Sequence, residues 1–269
     1  MTTFSYWDKI KSMSQSYRRI SPQLARQIRL VMTDVDGTIT AGEDSIKPIV
    51  MQTIRALGEQ GIIVGLVSGR TLPELESLAR VLGITGPIIA ENGGVAKIEV
   101  NGRLVDVGYS RQPALEALAK LKGLYPNAIK EREDNKDRLV DVVIWSHGVE
   151  VSELRKHLGK TQLLDSGYIL HLMQECISKG KTLMRLLGEL ADGSLSSANT
   201  MVFGDSATDI SLFELFPHSV VITNPKLTID QSQELKKIAG YMSELVVEEG
   251  FVEVVSHIIK ARLSSVSKM

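Results

Sequence analysis

Five short apolar runs, each closed by polar residues and separated by helix-length segments, constrain this chain more than any other feature. They read "RLVMTD" (29–34), "GIIVGLVSGR" (61–70), "PIIAENGG" (87–94), "TMVFGD" (200–205) and "SVVITN" (219–224). Strands this apolar must be covered on both faces, and their alternation with helices points to an α/β fold built on a parallel sheet. One helix is spelled by Ile46, Ile49, Val50, Ile54 and Leu57. Another follows from Leu72, Leu75, Leu78, Ala79 and Leu82, with Gly83 as its stop.

The middle of the chain has a different texture. "VAKIEVNGRLVDVG" (95–108) alternates around Asn101-Gly102, a hairpin signal. A helix is expected over 111–124 and another near 149–158, with strands at 139–145 and 168–173. "KEREDNKDR" (130–138) reads as a solvated charged loop. The expectation is an inserted α+β unit over 95–177 between two core segments, 29–94 and 178–269. Residues 1–28 form a basic extension; over the first 30 residues Lys9, Lys11, Arg18, Arg19, Arg26 and Arg29 stand against Asp8. Ile10, Met13, Tyr17 and Ile20 would share one face of a helix there, packed on its own domain or on a second copy of the chain.

With 269 residues, 43% hydrophobic and 23% charged, the composition is that of a water-exposed globular protein. A net charge of −1 gives no general attraction to nucleic acid or acidic lipid. Neither a bilayer-spanning stretch nor a secretory leader is apparent. Cys176 is the single cysteine, so no disulfide framework exists. It reads as a buried packing residue in a protein of the cytoplasm.

Where the strands are parallel, their carboxyl ends meet on one edge, which is where ligands bind in open α/β sheets. That edge would collect Asp34 and Asp36 from "DVDGT", Ser68, Asn92, and Asp205 with Asp209. Lys179 or Lys181 joins them from a helix start. Clustered carboxylates are hard oxygen ligands that suit Mg²⁺ better than zinc. With a cation present, Asp34 could attack phosphorus and Asp36 could exchange protons with the leaving alcohol and with water. Ser68 and Lys179 would balance charge on phosphoryl oxygens, and Thr38 would add a donor. Asn92 either meets substrate or only ends its strand; Ser68 either holds phosphate or only caps the next helix. Glu91 reads as structural, His171 as a core or edge residue, and Arg111, Arg132 and Arg138 as mainly surface groups.

"DVDGT", "VSGR", "SKGKTL" and "GDSATD", in this order, resemble the four motifs of the haloacid dehalogenase superfamily of phosphohydrolases. The insertion between the second and third motifs resembles the branch with a C2-type cap. "AENGG", "DSGYILHLMQECISKGKTL" and the C-terminal segment are similar to archaeal-type phosphoglycolate phosphatases and to sugar-phosphate phosphatases. The resemblance implies a Rossmann-like core and Mg²⁺-dependent hydrolysis of a small phosphate monoester through an aspartyl-phosphate. Phosphoglycolate is the first substrate expected; a sucrose-phosphate or mannosyl-phosphoglycerate type is second, and a silent binding scaffold third. It implies Asp34 as nucleophile, Asp36 as general acid/base and Lys179 as charge stabiliser. Asp34, Asp36 (through its carbonyl), Asp205 and Asp209 would stand around the metal, with Thr38, Ser68, Gly69 and Asn92 on the substrate side. The partner implied is a small soluble ester, with a homodimer left open. One departure is Thr208, where these relatives often carry Asn.

Overall fold

The computed structural model of the chain describes residues 14–41, 45–167, 169–189 and 193–264. The strands, in chain order, are β1 (Gln15–Ser16), β2 (Leu30–Thr33), β3 (Ile63–Val67), β4 (Ile88–Ala90), β5 (Val95–Lys97), β6 (Leu104–Val105), β7 (Ile129–Glu131), β8 (Val142–Ser146), β9 (Thr161–Asp165), β10 (Leu170–Gln174), β11 (Thr200–Gly204), β12 (His218–Thr223) and β13 (Tyr241–Val246). The helices are α1 (Pro22–Gln27), α2 (Pro48–Glu59), α3 (Leu72–Leu82), α4 (Gln112–Leu124), α5 (Val151–Arg155), α6 (Lys179–Glu189), α7 (Ile210–Leu215), α8 (Ile229–Ile238) and α9 (Val247–Leu263).

Among the described residues, nine strands form one sheet in the order β1-β13-β12-β11-β2-β3-β4-β5-β6. Pairing is parallel from β1 through β4, and β5 and β6 add an antiparallel edge. Side chains alternate faces along a strand, so Val31 enters one core while Leu30 and Met32 enter the other. The first face is covered by α2, α3 and α9 through Leu57, Leu75 and Phe251. The second is covered by α6, α7 and α8 through Leu183, Phe213 and Leu235. This is the doubly covered parallel sheet expected of the five runs.

A second sheet, β7-β8-β10-β9, is antiparallel and has its own apolar core with α4 and α5. Along β10, Leu170 and Leu172 enter that local core, whereas Met173 joins the core of the large sheet. Alternation therefore aims His171, like Met173, away from α4 and toward the large sheet.

Three local expectations change. The hairpin of Asn101-Gly102 opens no separate unit, because β5 pairs back onto β4 and makes it part of the large sheet. A hairpin signal says that two runs pair with each other, not which sheet they join. At the N-terminus, Ile10 and Met13 lie outside the described residues, and the stretch after them is not one helix. Gln15–Ser16 runs beside β13, a 3-10 turn covers Tyr17–Arg19, and Ser21 caps the short α1. Pro22 admits a helix start but no continuation from upstream. Tyr17, Ile20, Ala25 and Ile28 are still buried against the core. Cys176, finally, is exposed, in a turn at φ +70°.

The chain leaves β4 and returns to α6 at almost the same point. A Cβ on Gly93 would fall 2.5 Å from the Ser178 carbonyl oxygen, and the Thr182 hydroxyl donates to the Gly93 carbonyl at 2.7 Å.

Candidate active site

Asp34 follows β2 directly, its amide donating to the Phe203 carbonyl of β11 at 3.0 Å. The chain then turns tightly, with the amides of Thr38, Ile39 and Thr40 all directed at the Val35 carbonyl. Gly37 permits the turn: its φ is +86°, and a Cβ there would lie 2.3 Å from Asp205 Oδ2. Only the absence of a side chain lets the "DVDGT" turn close against the end of β11.

Lys179, the first residue of α6, is buried at 2% exposure. Its Nζ donates to Asp34 Oδ1 and to Asp209 Oδ1, both at 2.7 Å, and to the Thr208 hydroxyl at 3.1 Å. Lys181 is exposed, so of the two lysines Lys179 is the one in the site. Asp209 Oδ2 accepts from the amides of Asp205 and Ser206 at 3.0 and 3.1 Å. Both of its oxygens are thereby occupied. Thr208 contacts the ammonium with its single hydroxyl, which also bonds Ser206 Oγ. Asp205 accepts from Thr38 at 3.0 Å and from Asn224, at the end of β12, at 2.6 Å.

Asp34, Asp205 and Asp209 offer carboxylate oxygens that all lie within 4.8 Å of one another. Burial drives Asp34 well above the usual carboxylate value; Lys179 opposes this, while Asp209 and Asp205 add to it. Burial and then Asp209 push Asp205 up to about 7. Burial disfavours the Lys179 ammonium, but Asp209 and Asp34 outweigh it and hold its pKa above the usual value. Fully ionised, three carboxylates face one ammonium, an excess of two negative charges. A divalent cation with oxygen ligands fits that donor set, since it would favour the charged carboxylates against the burial and mutual repulsion that raise the two aspartates. Asp34 Oδ2 has no hydrogen-bond partner among the described residues, so one ligating or attacking oxygen is available.

The Asp36 carboxylate is not part of this cluster. It faces Arg70 in a two-pronged pair, Nε to Oδ2 at 2.8 Å and NH2 to Oδ1 at 2.5 Å, and its side chain is 42% exposed. Arg70, the last residue of "VSGR", was not singled out by the sequence reading, nor was Asn224. A polar residue ending an apolar run was the available signal for Asn224.

Ser68 does not cap α3, because Thr71 does so in a capping box with Glu74. The Ser68 hydroxyl accepts from the Arg70 amide at 3.2 Å, which leaves its proton to donate. After β4, Glu91 and Asn92 both adopt left-handed backbone, φ +51° and +54°, costly for residues with a side chain. Glu91 is structural: its carboxylate accepts from the amides of Leu139, Val140 and Asp141 at 2.8, 2.8 and 2.9 Å. Asn92 is buried, and its Nδ2 has no partner among the described residues.

The segment expected to be a solvated loop carries buried charge instead. Arg138 is 3% exposed and Asp141 0%. The Arg138 guanidinium donates to Asp141 Oδ1 at 2.7 Å, to Asp134 at 2.8 Å and to the Gly69 carbonyl at 3.0 Å. Asp141 Oδ2 holds His171 Nδ1 at 2.7 Å. Burial works against the Asp141 charge, yet His171 and Arg138 outweigh it and keep this carboxyl below its usual value. Arg111 bonds the Asn135 carbonyl at 2.6 Å, and Arg132 pairs with Asp134 at 3.0 Å. Neither of these two reaches the carboxylate cluster through a bond the structure shows.

A family profile described as haloacid dehalogenase-like hydrolase matches residues 31–136 and 120–255. A phosphoglycolate phosphatase of Methanoculleus marisnigri is 32% identical over 235 residues, covering 85% of this chain and 95% of that protein. One from Methanospirillum hungatei is 30% identical over 231 residues, covering 84% and 95%. In fold, a crystal structure from Thermoplasma acidophilum superposes with a TM-score of 0.73 at 24% identity, covering 86% of this chain and 98% of that one. A sucrose-phosphatase from Synechocystis does so with a TM-score of 0.67 at 19% identity, covering 87% and 98%. Among the described residues, no helix is long and apolar enough to cross a membrane. The chain belongs to the haloacid dehalogenase-like hydrolases, and among them to the phosphatases.

Proposed function

We infer that this phosphatase hydrolyses a small phosphate monoester through an aspartyl-phosphate on Asp34, that it uses Mg²⁺, and that 2-phosphoglycolate is its substrate. One observation carries the chemistry: Lys179 fixes one oxygen of the buried Asp34 carboxylate, while the other oxygen has no partner among the described residues. A nucleophile held by one oxygen and open at the other is oriented without being blocked.

Asp34 Oδ2 forms a bond to phosphorus as the ester oxygen departs with the bonding pair. Asp36 supplies that oxygen with a proton, for which it must exchange Arg70 for the leaving group. Asp36 then takes a proton from water, whose oxygen attacks phosphorus and releases phosphate from Asp34. Ser68 donates to a phosphoryl oxygen, and Lys179 balances charge at Asp34 throughout. Asp34, Asp205 and the Asp36 carbonyl would hold the cation, with Asp209 bracing Lys179. When bound, the cation offsets the charge of the carboxylates and of the phosphoryl group. The four-stranded unit with α4 and α5 acts as a cap that shields the bound ester from bulk water.

Support for glycolate as the leaving group comes from the phosphoglycolate phosphatases that the chain resembles over most of its length. The likeness to sucrose-phosphatase is one of fold, at 19% identity. The test is phosphate release with Mg²⁺ from 2-phosphoglycolate, hexose phosphates, sucrose phosphate, mannosyl-phosphoglycerate and nucleotides. We expect kcat/KM for 2-phosphoglycolate to exceed the others by about tenfold or more. A flat profile overturns the substrate, and no release from any ester overturns turnover at this site.

A further inference from the structure

Among the described residues, the buried side-chain polar atoms without a partner are Asn92 Nδ2, Arg111 Nε and Glu248 Oε2. Of these, Asn92 stands beside the loop that carries Ser68, its amide donating to the Ser68 carbonyl at 3.0 Å. An unpaired buried donor bears its whole desolvation cost. Asn92 also bears the cost of a left-handed backbone at φ +54°. Nothing within the described protein repays either, as expected of a group that waits for a ligand.

What Asn92 faces narrows the ligand. A carbon placed on the Gly69 Cα would lie 2.9 Å from Asn92 Nδ2 and 3.2 Å from His171 Cε1. The amide and the imidazole therefore converge over Gly69, where no side chain fits. His171 reaches that point from the second sheet and is not free to turn. Asp141 holds its Nδ1, and the same Asp141 is tied through Arg138 to the Gly69 carbonyl. The other ring nitrogen, Nε2, makes no hydrogen bond among the described residues. A chain of hydrogen bonds thus ties this imidazole to the Ser68 loop.

We propose that Asn92 Nδ2 and His171 Nε2 together bind an oxygen atom, of a carboxylate or of a hydroxyl, carried by the carbon next to the ester-bearing carbon of the leaving alcohol. The assignment rests on the phosphatase reading for which end of the ester lies at Asp34. Its reach is short because Gly69 directly follows Ser68, and successive Cα atoms are about 3.8 Å apart. Asn92 donates in either case. His171, with Nδ1–H given to Asp141, accepts from a hydroxyl when neutral and donates to a carboxylate when protonated. Asp141 and Arg138 are positioning residues.

Three esters that differ only in this substituent test the idea: 2-phosphoglycolate, 2-hydroxyethyl phosphate and ethyl phosphate. Their dissociation constants are measured by calorimetry with Mg²⁺ on full-length Asp34→Asn, and again with His171→Gln or Asn92→Gly added. Glycine accepts the backbone angle at that position. One of the oxygen-bearing esters should bind the parent about tenfold or more tightly than ethyl phosphate, and each added substitution should shrink that ratio to within about threefold. Which ester is favoured identifies the substituent as carboxylate or hydroxyl. A ratio near one in the parent, no binding of any ester, or a ratio untouched by both substitutions overturns the proposal. Equal weakening of all three esters assigns His171 a merely structural role and overturns it too. If His171→Gln does not fold, Asn92→Gly still decides. Phosphate release by the unsubstituted protein is read separately, so a failed phosphatase reading is distinguishable from failed recognition.

Discussion

Two buried charge clusters stand a short distance apart in this protein, and they are built to opposite rules. Around Lys179, two carboxylates share one ammonium with a third clustered beside them, and two of the three are driven upward in pKa. Around Asp141, one carboxylate is shared by a guanidinium and an imidazole, and its pKa is driven down. The first cluster is unbalanced until a cation arrives. The second is balanced in charge within the chain. Buried charge therefore does not by itself mark a reacting centre; the sign of the imbalance does.

The sharpest break is Asp34→Asn. The amide cannot form the phosphoenzyme, and turnover should fall by about 10⁴ or more with the circular dichroism spectrum unchanged. Substantial phosphate release from that variant would falsify the covalent route.

Next is Asp141→Asn, which strikes the balanced cluster and leaves the Arg138 guanidinium, at 2% side-chain exposure, with Asp134 as its one remaining carboxylate among the described residues. Removing one partner of a buried pair costs about 3 kcal/mol. Urea unfolding should show that loss equally with and without Mg²⁺. A loss that Mg²⁺ repairs would mean that the two clusters are not independent.

The unbalanced cluster should declare itself through pH. Asp205 is raised to about 7 in the fold, from about 4 in an unfolded chain. Its proton is thus held more tightly when folded. That contribution to stability is complete below the lower value and disappears as pH climbs through the higher one. Chelator-treated protein should lose stability between about pH 4 and 7, and Mg²⁺ should restore it at neutral pH. An identical slope in Asp205→Asn would remove Asp205 as the origin.

The smallest effect is expected at Thr208→Val, which takes one hydroxyl from Lys179 and leaves both carboxylates in place. A cost of about 1 kcal/mol, or a several-fold drop in kcat, would be read from phosphate release.

Much of the catalytic half was legible beforehand because its strands are apolar on both faces and its acidic residues fall at their ends. Asp34, Lys179, Asp205 and Asp209 converge in the structure as that pattern implied. The direction of the Asp36 carboxylate was not legible, since Arg70 sets it from another strand end. Arg138 read as surface polarity, and Asp141 passed unremarked in an expected strand, because hydropathy cannot register that two charges are buried against each other. β7 and β9, "IKE" and "TQLLD", carry too few apolar residues to declare themselves; strand neighbours in the second sheet define them. The left-handed pair Glu91-Asn92 has no sequence signature of the glycine kind.

The contact between Gly93 and Ser178 also bears on heredity. Apart from β5 and β6, which belong to the large sheet, the chain between those residues is a detour that begins and ends at one spot. Lengthening such a detour costs only logarithmically in chain entropy. Shortening it, or exchanging it for another of different size, need not shift Asp34 on one side or Lys179 on the other. On the function proposed above, insertions and deletions in that stretch would redirect which alcohol is accepted, while the segments on either side keep the same reaction.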